Sequence, residues 1–231
     1  MMPYLAIRAA GLMLMSTSGG LLRLGVGRRG AKLPPDSLDH CQPTVGEEFM
    51  DIEFEARFLS IESEAIRDKL AAQGGVRVMP RTLMRRIVFK NDDIAERGGW
   101  LRLRDEGRRI TMTYKQTTSD TSAIDTTLEA EIQVNDFHAA KSLLEAMGFE
   151  ALRYQENYRE EWKLGEVTLD LDTWPGLSTF LEIEGPGEGA VRATAEALGL
   201  DLAHASYGSV DEVYLAVLDR DILSEETLTF A

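Results

Sequence analysis

From residue 50 onward the chain keeps returning to one pattern, with apolar and ionic side chains in strict alternation. Residues 51–58, DIEFEARF, set Ile52, Phe54, Ala56 and Phe58 against Glu53, Glu55 and Arg57. A period of two belongs to a β-strand, whose successive side chains point to opposite faces. The pattern recurs in LRLR at 101–104, ITMTYK at 110–115 and LEAEIQV at 128–134. It returns in VTLDLD at 167–172 and FLEIE at 180–184. With LMRRIVFK at 83–90 and YREEWK at 158–163, the chain carries about eight strands. Each strand has one face for a core and one that demands water or a countercharge.

Turn residues join these strands as hairpins. Gly98–Gly99 precedes WLRLR, DEG at 105–107 reverses the chain into RRITMTYK, and WPG at 174–176 separates VTLDLD from FLEIE. The polar stretch at 116–126 reads as a loop. Helical spacing appears in four places. Phe137, Ala140, Leu144 and Met147 form one stripe, and Val210, Val213, Tyr214 and Val217 another. Ile66 with Leu70, and Val191 with Ala195 and Leu198, form weaker ones. All four suit packing against a core. Gly75, Gly148 and Gly199 mark three C-termini. A Glu-x-Glu strand precedes three of the helices, at Glu53, Glu129 and Glu182, which suggests a repeated strand–helix unit.

Such strands admit two architectures. One is an open sheet with helices on its apolar face and water on the other. The other is a closed barrel with ionic side chains in its bore and helices on its apolar outside.

The first 49 residues differ. They are rich in Gly, Ser and Pro, and the domain is expected at 49–220 between a tail or over-extended start at 1–48 and a tail at 221–231. AAGLMLM at 9–15 has the bare minimum of a signal-peptide core, without a clear cleavage site after it. GVGRRG at 25–30 has dinucleotide-binding spacing, but Pro34–Pro35 forbid the helix that such a motif needs. Met50 is the alternative start, and a cytoplasmic location is the expectation.

Composition removes several kinds of chemistry. A formal net charge of −14 argues against nucleic acid and anionic membranes as partners. Cys41 is the only cysteine, so there is no intrachain disulfide and no cysteine zinc site. His40, His138 and His204 lack ligand spacing. Any metal should therefore be a hard one held by carboxylates.

The ionic faces supply such carboxylates, though for any one strand a solvated polar face is the ordinary explanation. Basic residues gather at Arg57, at Arg102 with Arg104, and at Lys115. Carboxylates gather at Glu53 with Glu55, Glu129 with Glu131, Asp170 with Asp172, and Glu182 with Glu184. Close carboxylates favour a hard divalent cation, and guanidinium and ammonium groups favour an oxyanion. A site with both is what a metal-bound polyphosphate needs.

These segments together resemble the CYTH domain, or triphosphate tunnel metalloenzyme, family over residues 50–218. The signature E-x-E-x-K stands here as Glu53-Phe-Glu55-Ala-Arg57. Further matches are LRLR at 101–104, TYK at 113–115, EAEI at 129–132, LDLDTWPGL at 169–177 and FLEIEG at 180–185, with Arg159 as the family's late-strand arginine. The resemblance implies an α+β fold, an eight-stranded antiparallel tunnel with a charged interior and helices packed outside. It implies Mg²⁺ or Mn²⁺ on Glu53, Glu55, Glu182 and Glu184. It implies phosphate on Arg57, Arg102, Arg104, Lys115 and Arg159, with catalysis by Glu53, Glu55, Arg57 and Lys115. Glu129, Glu131, Asp170 and Asp172 fall in a second tier, and Arg86 and Lys90 are undecided between faces.

The implied partner is a small-molecule triphosphate, with a homodimer left open. The leading reading is metal-dependent triphosphate hydrolysis. Adenylate cyclase is the alternative, for which Trp100, Trp162 or Trp174 could stack on a base. A non-enzymatic polyphosphate or nucleotide binder is a third. Arg57 bears on the choice, because arginine clamps phosphate well but cannot serve as a base.

Overall fold

Alternation of this kind becomes a wall when its apolar side finds a cover. In the computed structural model, which describes residues 50–117 and 127–231, eight strands do this by closing on themselves. Strand β1 spans Asp51–Phe58, β2 Val76–Lys90, β3 Gly99–Asp105 and β4 Ile110–Thr117. Strand β5 spans Thr127–Val134, β6 Glu150–Leu164, β7 Val167–Thr173 and β8 Phe180–Gly185. The order is β2-β3-β4-β5-β1-β8-β7-β6, and antiparallel pairing of β6 with β2 shuts the ring. Of the two architectures the sequence admits, the chain adopts the closed barrel.

Both strands at the seam are 15 residues long, about twice their neighbours. The sequence shows only half of each, because Pro80 interrupts the alternation in β2 and register shifts flank it. A proline has no N–H to give to a ladder and belongs at such irregularities.

Helices α1 (Ser63–Ala72) and α4 (Glu188–Ala197) cover the outside of β1, β7 and β8. Ile66 and Leu70 of α1, with Val191 and Ala195 of α4, meet Ala56, Leu169, Leu181 and Ile183 in one buried cluster. Truncating a fully buried Leu or Ile in such a core costs about 2–5 kcal/mol. Helix α3 (Phe137–Ala146), capped by Asp136 accepting from the Ala139 N–H, sets Leu144 against Ile87, Phe89 and Leu103. A one-turn helix α2 (Asp92–Ala95) links β2 to β3. Helix α5 (Val210–Leu218) closes a third cluster, in which Tyr214 meets Trp174 and Phe180. The three Glu-x-Glu strands do each lead to a helix: β1 to α1, β5 to α3 and β8 to α4.

Several details depart from the sequence reading. Met147 and Val217 are 54% exposed, because each lies at the end of its helix, past the wall. Gly74, and not Gly75, takes the left-handed turn after α1, with φ 82°. Residues 221–231, read as a tail, hold the fold: Ile222 and Leu228 are buried, and β9 (Thr227–Leu228) pairs in parallel with β6. Ile52 and Ile132, on the apolar outside of β1 and β5, are half exposed, so the helices leave part of that wall bare. The readings made for residues 1–49, and for most of the loop at 116–126, lie outside the described residues.

Candidate active site in the tunnel

Polar side chains from all eight strands point inward and line a cavity of about 690 Å³. Every site residue expected from the sequence lies on it: Glu53, Glu55, Arg57, Arg102, Arg104, Lys115, Glu129, Glu131, Arg159, Asp170, Asp172, Glu182 and Glu184. Arg86 and Lys90, whose face the sequence left open, line it as well.

Register decides who meets whom. On β1 and β8, Arg57 stands opposite Glu182, and Glu55 stands opposite Glu184. Arg57 donates from Nε (2.9 Å) and Nη2 (2.6 Å) to Glu182 Oε1, and from Nη2 to Glu55 Oε1 (2.6 Å). Its Nη1 reaches the Gly208 carbonyl at 2.9 Å. The side chain thus ties β1 to β8 and to the turn ahead of α5. Gly208 has φ +88°, a backbone conformation that side chains with a Cβ rarely adopt, so the turn favours glycine.

Arg159 on β6 works the same way. Its Nε and Nη2 grip Asp172 in a two-pronged pair, each at 2.7 Å, while Nη1 meets Asp170 and Nη2 meets Glu182, both at 2.6 Å. Lys115 bridges Glu53 and Glu129, each at 2.7 Å. Arg102 is more loosely held, with Thr113 Oγ1 at 3.2 Å and Glu131 at 3.6 Å.

These contacts sort the carboxylates. Burial opposes the charge on Glu182, but Arg57 and Arg159 outweigh it and hold its pKa down at about 2. Burial pushes Glu55 well above the ordinary range, and the adjacent Glu182 adds to it. Burial, with Glu53 nearby, raises Glu184. Burial also raises Asp170 well above its usual value against the pull of Arg159, and its Oδ1 has no hydrogen-bond partner among the described residues.

The opposite imbalance appears among the cations. Burial and then Arg102 lower Arg104 to about 10, although Glu106 pairs with it. Burial lowers Arg86 further, with Arg102, Arg104 and Arg159 adding to the effect. One part of the bore is therefore short of positive charge, and another is short of negative charge.

The fit to a divalent cation follows from the first part. Glu55 and Glu184 face each other across the β1–β8 ladder, where like charges repel. Burial and carboxylate neighbours raise the pKa of both. All donors there are hard oxygens, which suits Mg²⁺ or Mn²⁺. Among the described residues, no three carboxylates stand together closely enough to hold a metal as they are, because Glu53, Glu55 and Glu182 are turned toward Lys115 and Arg57.

An antiparallel eight-stranded tunnel with this lining defines a class, and comparison agrees. The CYTH domain model matches residues 51–197, and the chain belongs to that family. Among solved structures, the PH1012 protein of Pyrococcus horikoshii is 24% identical, with a TM-score of 0.55 over 67% of this chain and 94% of its own. A candidate adenylate cyclase of Vibrio parahaemolyticus is 17% identical, with a TM-score of 0.59 over 71% of this chain and 97% of its own. HpAC1 of Hippeastrum, described as a candidate adenylyl cyclase with a dominant triphosphatase activity, is 16% identical, with a TM-score of 0.50 over 72% and 94%. No curated protein matches the sequence. No helix among the described residues is long and apolar enough to cross a membrane.

Proposed function

We propose that this chain hydrolyses a triphosphate in a metal-dependent reaction inside the tunnel. The observation that carries the proposal is the division of one cavity into a carboxylate-rich part and a guanidinium-rich part. Glu53, Glu55, Glu182 and Glu184 would hold Mg²⁺ or Mn²⁺, which when bound neutralises phosphate charge and polarises the phosphoryl group.

The chain's own residues do the rest. Arg102, whose contact with Glu131 is 3.6 Å long, meets the phosphate oxygens first, with Arg104 beside it on the same strand. Lys115, Arg57 and Arg159 join by exchanging carboxylate oxygens for phosphate oxygens. Fixed guanidinium groups then stabilise charge as it builds on the transferring phosphoryl group. Arg57 holds the geometry and cannot take a proton from water. Asp170 Oδ1, which has no hydrogen-bond partner among the described residues, would accept from the attacking water.

The test is incubation of purified protein with Mg²⁺ or Mn²⁺ and tripolyphosphate, ATP or thiamine triphosphate. Phosphate release that Glu53→Gln and Glu182→Gln abolish is the expected result; full release by both variants refutes the assignment. Trp100 lines the cavity and offers a face to a base, which keeps the cyclase as the second reading. Cyclic AMP with pyrophosphate would mark that outcome, and binding without release would mark a binder.

A further inference from the structure

We propose that Arg86 and Trp174 form an anion subsite of their own beside α5, shaped for the terminal phosphoryl group of a phosphate chain. The proposal rests on the triphosphate reading for the identity of its ligand. Its evidence is a set of buried donors with nothing to donate to.

Arg86 on β2 is 8% exposed and has no ion-pair partner among the described residues. Its Nη2 donates to Asn157 Oδ1, and its Nε has no partner among the described residues. The guanidinium lies 4.5 Å over the Trp174 ring. Trp174 is 2% exposed, and its indole Nε1 has no partner either. Both residues line the cavity. Arg104 stands opposite Arg86 on β3, and Arg102 follows it with an unpartnered Nε of its own.

A buried donor without an acceptor is costly, and a buried cation without a counter-ion more so. Here two side chains with such donors, Arg86 and Trp174, are in contact and both line the cavity, with Arg104 opposite Arg86 on the ladder. Indole N–H and guanidinium N–H groups donate and never accept. A ligand for this place must therefore bring acceptors and negative charge, as a terminal phosphoryl group does. A cation or an apolar group gains nothing there.

The pair is also held in position. The Tyr214 ring meets Trp174 edge-on, with centroids 6.4 Å apart, and the Tyr214 hydroxyl donates to the Pro175 carbonyl at 2.6 Å. Stacking on the indole fixes the plane of Arg86. The sequence gives no hint of this role, since Arg85 and Arg86 are adjacent and alternation alone does not choose between them.

Arg86→Met keeps length and removes charge. A structural cation and a ligand-binding one predict opposite results for it. With no anion present, the variant should melt at the same temperature as the parent or higher, because a like-charged neighbour of Arg102 and Arg104 is gone. Its affinity for tripolyphosphate, measured by calorimetry without metal, should fall roughly tenfold or more. The stabilisation given by millimolar orthophosphate should shrink as well. A lower melting temperature with unchanged affinity overturns the proposal. Trp174→Phe, which keeps the ring and deletes the N–H, should weaken orthophosphate binding several-fold; unchanged binding overturns the indole's part. Parent protein that binds tripolyphosphate but releases no phosphate refutes the hydrolase and leaves the subsite standing. Release by the parent with unaltered affinity in Arg86→Met refutes the subsite alone.

Discussion

Among the described residues, Glu182 is the one carboxylate shared by two buried arginines, and its removal should be felt first in stability. Its Oε1 accepts from Arg57 and its Oε2 from Arg159. Depression of its pKa from 4.5 to about 2 corresponds to roughly 3 kcal/mol at neutral pH. The side chain is only 12% exposed, so solvent screens little of this. Loss of one member of a buried ion pair independently costs about 3–5 kcal/mol. Arg57 keeps Glu55, and Arg159 keeps Asp170 and Asp172, which argues for the lower end.

Glu182→Gln should therefore lower the unfolding free energy at pH 7 by about 3 kcal/mol. The folded-state pKa lies below the unfolded one. The contribution is thus complete above about pH 4.5 and is lost as pH falls toward 2. Urea denaturation of parent and variant at pH 7 and pH 3 should show the gap narrowing by about 2 kcal/mol. Parallel stability curves over that range would refute the reasoning.

Arg57→Lys should cost about 1.5–3 kcal/mol in calorimetric unfolding, because one ammonium group cannot reach Glu55, Glu182 and the Gly208 carbonyl together. Leu228→Ala should cost about 2–4 kcal/mol, since its side chain is 2% exposed against the α5 cluster, and an unchanged melting temperature would return residues 221–231 to the status of a tail. Asp219→Gly should stabilise by about 1 kcal/mol, because Asp219 ends α5 at φ 51°. Chelation of divalent cations should stop phosphate release, and Mg²⁺ or Mn²⁺ should restore it.

Most of the wall was legible because a period of two is hard to mistake for anything else. DIEFEARF and FLEIE name their inward residues without help. The direction of the ionic face was not legible from alternation, which serves an open sheet and a barrel equally; the charge of the set and the family signature decided it. The seam was half hidden, since Pro80 breaks the pattern in β2 and residues 150–157 of β6 mix polar and apolar positions freely. Partner choice was out of reach as well. Whether Glu182 meets Arg57, Arg159 or both depends on a register that only paired strands possess. The same holds for Arg86, whose isolation is a property of its neighbours and not of its own segment.

The join between residues 76–90 and 150–164 has a consequence for biosynthesis. β1 likewise waits for β8, more than 120 positions downstream. No N-terminal fragment can complete the cylinder, and such distant pairing makes for folding in milliseconds to seconds, not microseconds. Until the last strands leave the ribosome, Arg57 and Arg159 have no Glu182 to face, so closure of the wall and neutralisation of that cluster arrive as a single event.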